Sequence, residues 1–289
     1  MTETANTAAR EGLVAGAFSW LGRWLLLVPE AALLSALLVL YAAFDAPLGI
    51  AMMAALLVTS FTIRTLALHL ARIHIGAGHY NDAEALLWVA RTLYPYSADT
   101  LALQGMLAMA RGEPEQAERA LREAVRLLPD QPGFYIALSG ALIDLGRPAE
   151  AAMAARQALR LDQGTAQAYL FLAEAEQARG AASDEIETHL RTGLLLARTP
   201  EVQAALQCSL AAHLLAEGRF AEATLALHVA EGLLKHCSVL HQAQLRYHIG
   251  ELLVAQGLTE RAREHFQRAE ATGTDNRFVK ASGWSTHPS

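Results

Sequence analysis

The chain has 289 residues, 53% of them hydrophobic, and 23 lysines and arginines against 29 acids leave a formal charge of −6. That length allows one or two domains with ample core, and the wealth of Ala and Leu with only 9 prolines favours helix throughout. The first 72 residues balance four acids against four arginines, so the whole deficit falls on residues 73–289, an acidic stretch without the basic surface that nucleic acid demands.

In chain order, the first element is an amphipathic lead-in over residues 1–28. Val14, Phe18, Leu21, Leu25 and Val28 fall on one helical stripe, and Trp20, Arg23 and Trp24 are placed as membrane-interface residues. Residues 29–63 then hold two apolar runs, Pro29–Phe44 and Leu48–Ile63, separated by a DAP break. Pro29 followed by Glu30 has the signature of a helix start, with proline in the first turn and an acid at the positive end of the dipole. Each run has 16 residues, about 24 Å of helix against a hydrocarbon core of roughly 30 Å. Three arrangements fit: a spanning hairpin that recruits flanking residues, with Arg64 reaching to the interface; a re-entrant or monotopic hairpin; or two soluble core helices. The first is the working expectation, because two adjacent uncharged runs are hard to bury in a small soluble domain. A cleaved signal peptide does not fit, since Glu30 interrupts the apolar region and a second apolar run follows. Arginines flank the hairpin at 10, 23, 64 and 72 and are absent from its turn, so the positive-inside rule places both ends in the cytoplasm.

Beyond Ile63 no Pro or Gly intervenes before the next helical pattern, which predicts one continuous helix from about Leu48 to Ile75. From residue 64 onward the sequence repeats with a period of 34. Unit 98–131 carries Gly105 at its position 8, Gly112 at 15, Ala117 at 20, Leu121 at 24, Ala124 at 27 and Pro129 at 32. In phase with it are units 64–97, 132–165, 166–200, 204–237 and 243–276. On these marks the chain resembles the tetratricopeptide repeat family. The resemblance implies an all-α fold in which helix-turn-helix pairs stack into a right-handed superhelix with a concave groove. Small residues at position 8 are expected to meet position 20, and Gly at position 15 to cap the first helix. Extra residues near 181–184, 201–203 and 238–242 are expected as wider loops. The remainder, 277–289, breaks the pattern and reads as a tail, either disordered or docked through Phe278 and Trp284.

Family resemblance places positions 2, 5, 9 and 12 of each first helix in the groove. Here these include Met106, Met109, Ile136, Ile143, Leu170, Glu174, Leu215, Tyr247 and Glu251, with Ala102, Cys208 and Val254. Relatives that grip a carboxylate tail use Lys and Asn there; this chain has neither, so that function does not carry over. The set is apolar with a few acids, suited to an amphipathic or apolar helix of a protein partner.

Chemistry is sparse. Cys208 and Cys237 are too few for a disulfide framework and read as buried thiols in a reducing compartment. Six histidines crowd the last two units, but no H-E-x-x-H, C-x-x-C or C-x-x-C-H is formed, and phosphate-loop, dinucleotide and nucleophile-elbow motifs are missing. The expectation is therefore no catalytic residue, no metal and no cofactor. Two functions of different class remain. One is a membrane-anchored scaffold that helps assemble or stabilise a bacterial inner-membrane complex, holding the bilayer through residues 24–63; its architecture resembles bacterial inner-membrane repeat proteins of haem delivery, cytochrome maturation or envelope biogenesis. The other is a permanent accessory subunit of a respiratory, photosynthetic or transport complex.

Overall fold

A computed structural model describes residues 47–271, and these form twelve α-helices, one short 3-10 turn and no strand. The segment 1–28 with Trp20, Arg23 and Trp24, the hairpin's first helix and the tail 277–289 lie outside the described residues. Six antiparallel pairs follow one another: α1 (Pro47–Ala77) with α2 (Tyr80–Leu93), α3 (Ala98–Arg111) with α4 (Pro114–Leu127), and α5 (Pro132–Asp144) with α6 (Pro148–Leu161). Next come α7 (Ala166–Ala178) with α8 (Ser183–Leu196), α9 (Pro200–Ala216) with α10 (Phe220–Leu233), and α11 (Val239–Ala255) with α12 (Thr259–Glu270).

Local chemistry explains the period. All six turns within pairs place a glycine at positive φ, between 66° and 80°: Gly78, Gly112, Gly146, Gly180, Gly218 and Gly257. In each, the glycine and its successor close a Schellman cap. In the second pair, for example, Gly112 N–H donates to Met109 C=O at 3.1 Å and Glu113 N–H to Ala108 C=O at 2.9 Å. Proline begins α4, α5, α6 and α9, where its missing N–H is one of the orphan donors anyway. The second helix of five pairs presents alanine at repeat positions 20 and 27, and all ten are fully buried: Ala83, Ala117, Ala151, Ala223 and Ala262, then Ala90, Ala124, Ala158, Ala230 and Ala269. Without side-chain bulk there, neighbouring backbones approach closely.

Position 8 meets position 20 as expected in the third pair, where Ser139 Oγ donates to the Ala151 carbonyl at 2.9 Å, and in two other pairs it also meets position 24. A Cβ built on Gly105 would stand 2.6 Å from Leu121 Cγ, and one on Gly250 would stand 2.6 Å from Phe266 Cε1. The glycine thus makes room for the large side chain at position 24, one helical turn beyond position 20.

The first helix runs unbroken for 31 residues, about 46 Å, through the anticipated joint at residue 64. Its two halves differ in surroundings. Ala67, Ala71 and Ile75 are buried against the next helices, whereas Met52, Met53, Leu56 and Val58 are exposed. Arg64, expected at a membrane interface, points inward instead and is only 2% exposed. Its Nη1 donates to Ser97 Oγ at 3.0 Å, and its guanidinium carbon lies 5.7 Å from the centroid of the Tyr94 ring. Ser97 Oγ also accepts from Thr100 N–H at 3.2 Å, capping α3. One hydroxyl therefore starts a helix and ties it to α1.

Only the first of the three expected wide loops forms, over residues 179–182. The extra residues before units 204–237 and 243–276 instead lengthen α9 and α11 to 17 residues each, one additional N-terminal turn. In α11 that turn carries Leu240, which is buried in the same cluster as Ile75, Leu103 and Leu107 of the first two pairs. The last pair thereby touches α1, and the superhelix closes end to end.

Ion pairs lace successive repeats. Arg111 meets Glu84 at 2.7 Å, Arg147 meets Glu118 at 2.6 Å, Arg219 meets Glu187 at 2.7 Å and Arg261 meets Glu231 at 2.8 Å. Being partly exposed, each contributes little on its own.

Candidate functional site

Packing between neighbouring helices limits what the concave side offers. Of the expected groove residues, Ile136, Leu170 and Tyr247 are buried rather than open. Ile136 packs with Ala158 and Ala168 between repeats, Leu170 lies in the core of the later repeats, and the Tyr247 ring sits 5.4 Å from that of Phe266. Met109, Ile143, Glu174 and Leu215 are half-buried, with the three apolar ones resting on the inter-repeat cores. Met106 and Glu251 remain exposed. The groove positions therefore serve mainly to join repeats, and a narrower surface is left to a ligand.

Its most unusual group is Glu174. Burial pushes this carboxyl above the usual range, against the Ser209 hydroxyl, which donates to Oε1 at 2.7 Å, and the nearby His248 charge; Asp144 adds to the upward shift. Cys208 lies close by, and its thiol is pushed up to about 12 by burial and by the neighbouring Glu174, so it is inert.

On the outer face, a cleft of about 590 Å³ opens between α4 and α6. Tyr135, Leu138 and Met153 line it with Arg122, Arg156 and Arg160. Two of these cations already hold carboxylates, Arg122 with Glu150 at 2.9 Å and Arg156 with the buried Glu176 at 2.5 Å.

The histidines of the last two repeats do not converge. His213 is buried beside Ser183 at 3.0 Å, His241 meets Ser238 at 2.7 Å, and His265 meets Glu231 at 3.1 Å. A cluster does form in the first helix pair, among residues not singled out from the sequence. At the first turn, ligand atoms of His74, His79 and Asp82 lie within 4.8 Å of one another. The signal was present as H-x4-H-x2-D spanning the capping Gly78, because that cap brings the residues on either side of it together.

The tetratricopeptide repeat profile matches residues 132–165, the third helix pair. Human tetratricopeptide repeat protein 7B is 30% identical over 141 residues, covering 49% of this chain; those residues span 17% of that relative's length. Among solved structures, a tetratricopeptide repeat protein from Parabacteroides merdae superposes with a TM-score of 0.56 at 19% identity, covering 94% of this chain and 96% of that one. A thermophilic TPR protein from Thermus thermophilus superposes with a TM-score of 0.55 at 23% identity, covering 66% of this chain and 99% of that one. Six glycine-capped helix pairs, the alanines that seat them and these likenesses agree: residues 132–165 match a tetratricopeptide repeat, and the pairs on either side share its fold.

Proposed function

We propose that this protein is a membrane-anchored scaffold for protein–protein interaction, serving the assembly or stabilisation of a bacterial inner-membrane complex. The observation that carries the reading is α1, whose residues 51–77 have the length and composition of a membrane span and whose part before Arg64 is left unburied by the repeat domain. Its first half leaves Met52, Met53, Leu56 and Val58 uncovered, while its second half is the first helix of the repeat domain. A row of large apolar side chains at that density suits lipid or other membrane helices better than water. The apolar run upstream, Pro29–Phe44, supplies a second segment for a hairpin, and the flanking arginines favour a cytoplasmic repeat domain. An unbroken helix between bilayer and repeats would fix the orientation of the domain to the membrane, which favours partners that are themselves at the membrane. Met106 and Glu251, open on the repeat surface, are the residues of the expected groove best placed to touch such a partner.

The test uses the full chain in its membranes. Alkaline carbonate washing should leave it in the pellet; release into the wash would remove the anchoring claim. Sidedness is read with Leu195→Cys, a position 88% exposed, and a membrane-impermeant thiol reagent. Labelling only after the membrane is opened supports a cytoplasmic domain, and labelling of intact spheroplasts rejects it. Recovery of a fixed set of membrane subunits in mild detergent would favour a permanent subunit over an assembly factor.

A further inference from the structure

The turn between α1 and α2 differs from the other five in what its cap brings together. A Schellman cap joins the residue three from the helix end to the second residue past it, and here those are His74 and His79: His79 N–H donates to His74 C=O at 2.9 Å. The same bond joins Ala108 with Glu113, Leu142 with Arg147, Glu176 with Ala181, Leu214 with Arg219 and Leu253 with Leu258. Four of those five pairs put a buried apolar side chain where His74 stands. Histidine there needs a reason other than packing.

Its surroundings supply one. The rings of His74 and His79 have centroids 5.7 Å apart, and His74 Nδ1 lies 3.6 Å from Asp82 Oδ2, too long for a hydrogen bond. His74 Nδ1 is itself buried and has no hydrogen-bond partner among the described residues. A buried ring nitrogen left in that state carries a desolvation penalty, and an ion is one of the recognised ways of satisfying it.

We propose that His74, His79 and Asp82 form a binding site for a divalent cation of borderline softness, of which zinc is the representative. Two imidazole nitrogens and one carboxylate oxygen are the donor set such a cation takes when some coordination positions stay open. Tetrahedral donors at bonds of about 2.0–2.1 Å stand roughly 3.3 Å apart, so the widest present spacing must close by about 1.5 Å. Asp82 and His79 are exposed and free to rotate by that much, while His74 is held at the helix end. His79 and Asp82 also line a cleft shared with Gly78, Arg111 and Glu113. A bound cation would pin the end of α1 to the start of α2. This inference stands apart from the membrane reading and does not need it.

The experiment titrates zinc into the tag-free, chelator-stripped full chain in detergent, against a chromophoric chelator. One zinc per chain is expected, weakened at least about tenfold in both His79→Ala and Asp82→Asn. Both positions are exposed, so the variants should keep the helical circular dichroism of the parent, which is checked alongside. Absence of stoichiometric zinc overturns the proposal. So does zinc held equally well by both variants, because the metal would then sit on other histidines.

Discussion

Gly105 and Leu121 share one volume: a Cβ on the first would lie 2.6 Å from Cγ of the second, closer than real Cβ atoms come. Both residues are buried, and Leu121 has no exposed surface left toward which to retreat. Gly105→Ala is therefore expected to destabilise the protein by about 1–3 kcal/mol through overpacking, despite alanine's better helix propensity. In a Leu121→Ala background, itself costing about 2–5 kcal/mol, Gly105→Ala should cost less than it does alone, since the leucine's removal vacates the contested space. Denaturant unfolding of the single and double variants measures it, and additive losses would sink the explanation.

Arg64 gives a second prediction. Its guanidinium sits between the Ser97 hydroxyl and the Tyr94 ring, with the Asp99 carboxyl near enough to feel its charge. Arg64→Ala removes a hydrogen bond to a charged group from a buried position, and a loss of about 1.5–3 kcal/mol is expected. Because Ser97 also caps α3, hydrogen exchange should quicken in the first turn of α3 as well as in α1. Arg64→Lys keeps the charge but not the planar fork, and is expected to fall between the two. If Arg64 served only a membrane surface, α3 would be unaffected.

What the sequence made legible follows from how local each cause is. Gly78 and its five counterparts were readable because a left-handed cap is a property of one residue's backbone. Ala83 and Ala90, with their equivalents, were readable because close helix approach needs small side chains at fixed spacing. Arg64 was misread although the signal existed: Arg64, Ala67, Ala71 and Ile75 lie at intervals of 3, 4 and 4, one helical stripe, and all four are buried. Proximity to an apolar run outweighed that periodicity. End-to-end closure was out of reach, because it sums small rotations over six repeats and no single residue records the total. Ile136, Leu170 and Tyr247 are buried by neighbouring helices, which the repeat frame alone does not tell apart from an open groove wall. The histidine pair, by contrast, was recorded in the H-x4-H-x2-D spacing across Gly78.

Leu240 tests the closure directly. It is buried among Ile75, Leu103 and Leu107, although it belongs to the last repeat and they belong to the first two. In an open solenoid, changes at one end do not reach the other, because each repeat feels only its neighbours. Here Leu240→Ala is expected to cost about 2 kcal/mol and to raise hydrogen exchange in α1 and α3 as well as in α11. Leu258→Ala, on a half-exposed side chain at the α11–α12 turn, serves as a control confined to the last repeat. Exchange that rises only around α11 in the Leu240 variant would mean that the ends are not coupled.

Glu174 makes stability depend on pH, and the sign is fixed by its surroundings. Burial raises the carboxyl above its ordinary value of 4.5, outweighing the hydrogen bond from Ser209 and the charge of His248, with Asp144 acting in the same direction as burial. A raised folded value means that the native state holds the proton more tightly than the unfolded chain does. This contribution is fully present below the unfolded value and is lost as pH rises through the folded one. The wild-type chain should therefore lose stability relative to Glu174→Gln as pH climbs from about 4.5 toward neutrality. Glutamine retains an oxygen that can accept from Ser209, so the substitution removes the charge and little else. Paired thermal unfolding curves across that range give the measurement, and the difference between the two proteins isolates this group from carboxylates such as Glu187, which the Arg219 and Arg191 hydrogen bonds shift downward. The curves should diverge with rising pH, the glutamine variant being the more stable at neutrality. Parallel curves would show that Glu174 ionises as freely in the fold as outside it.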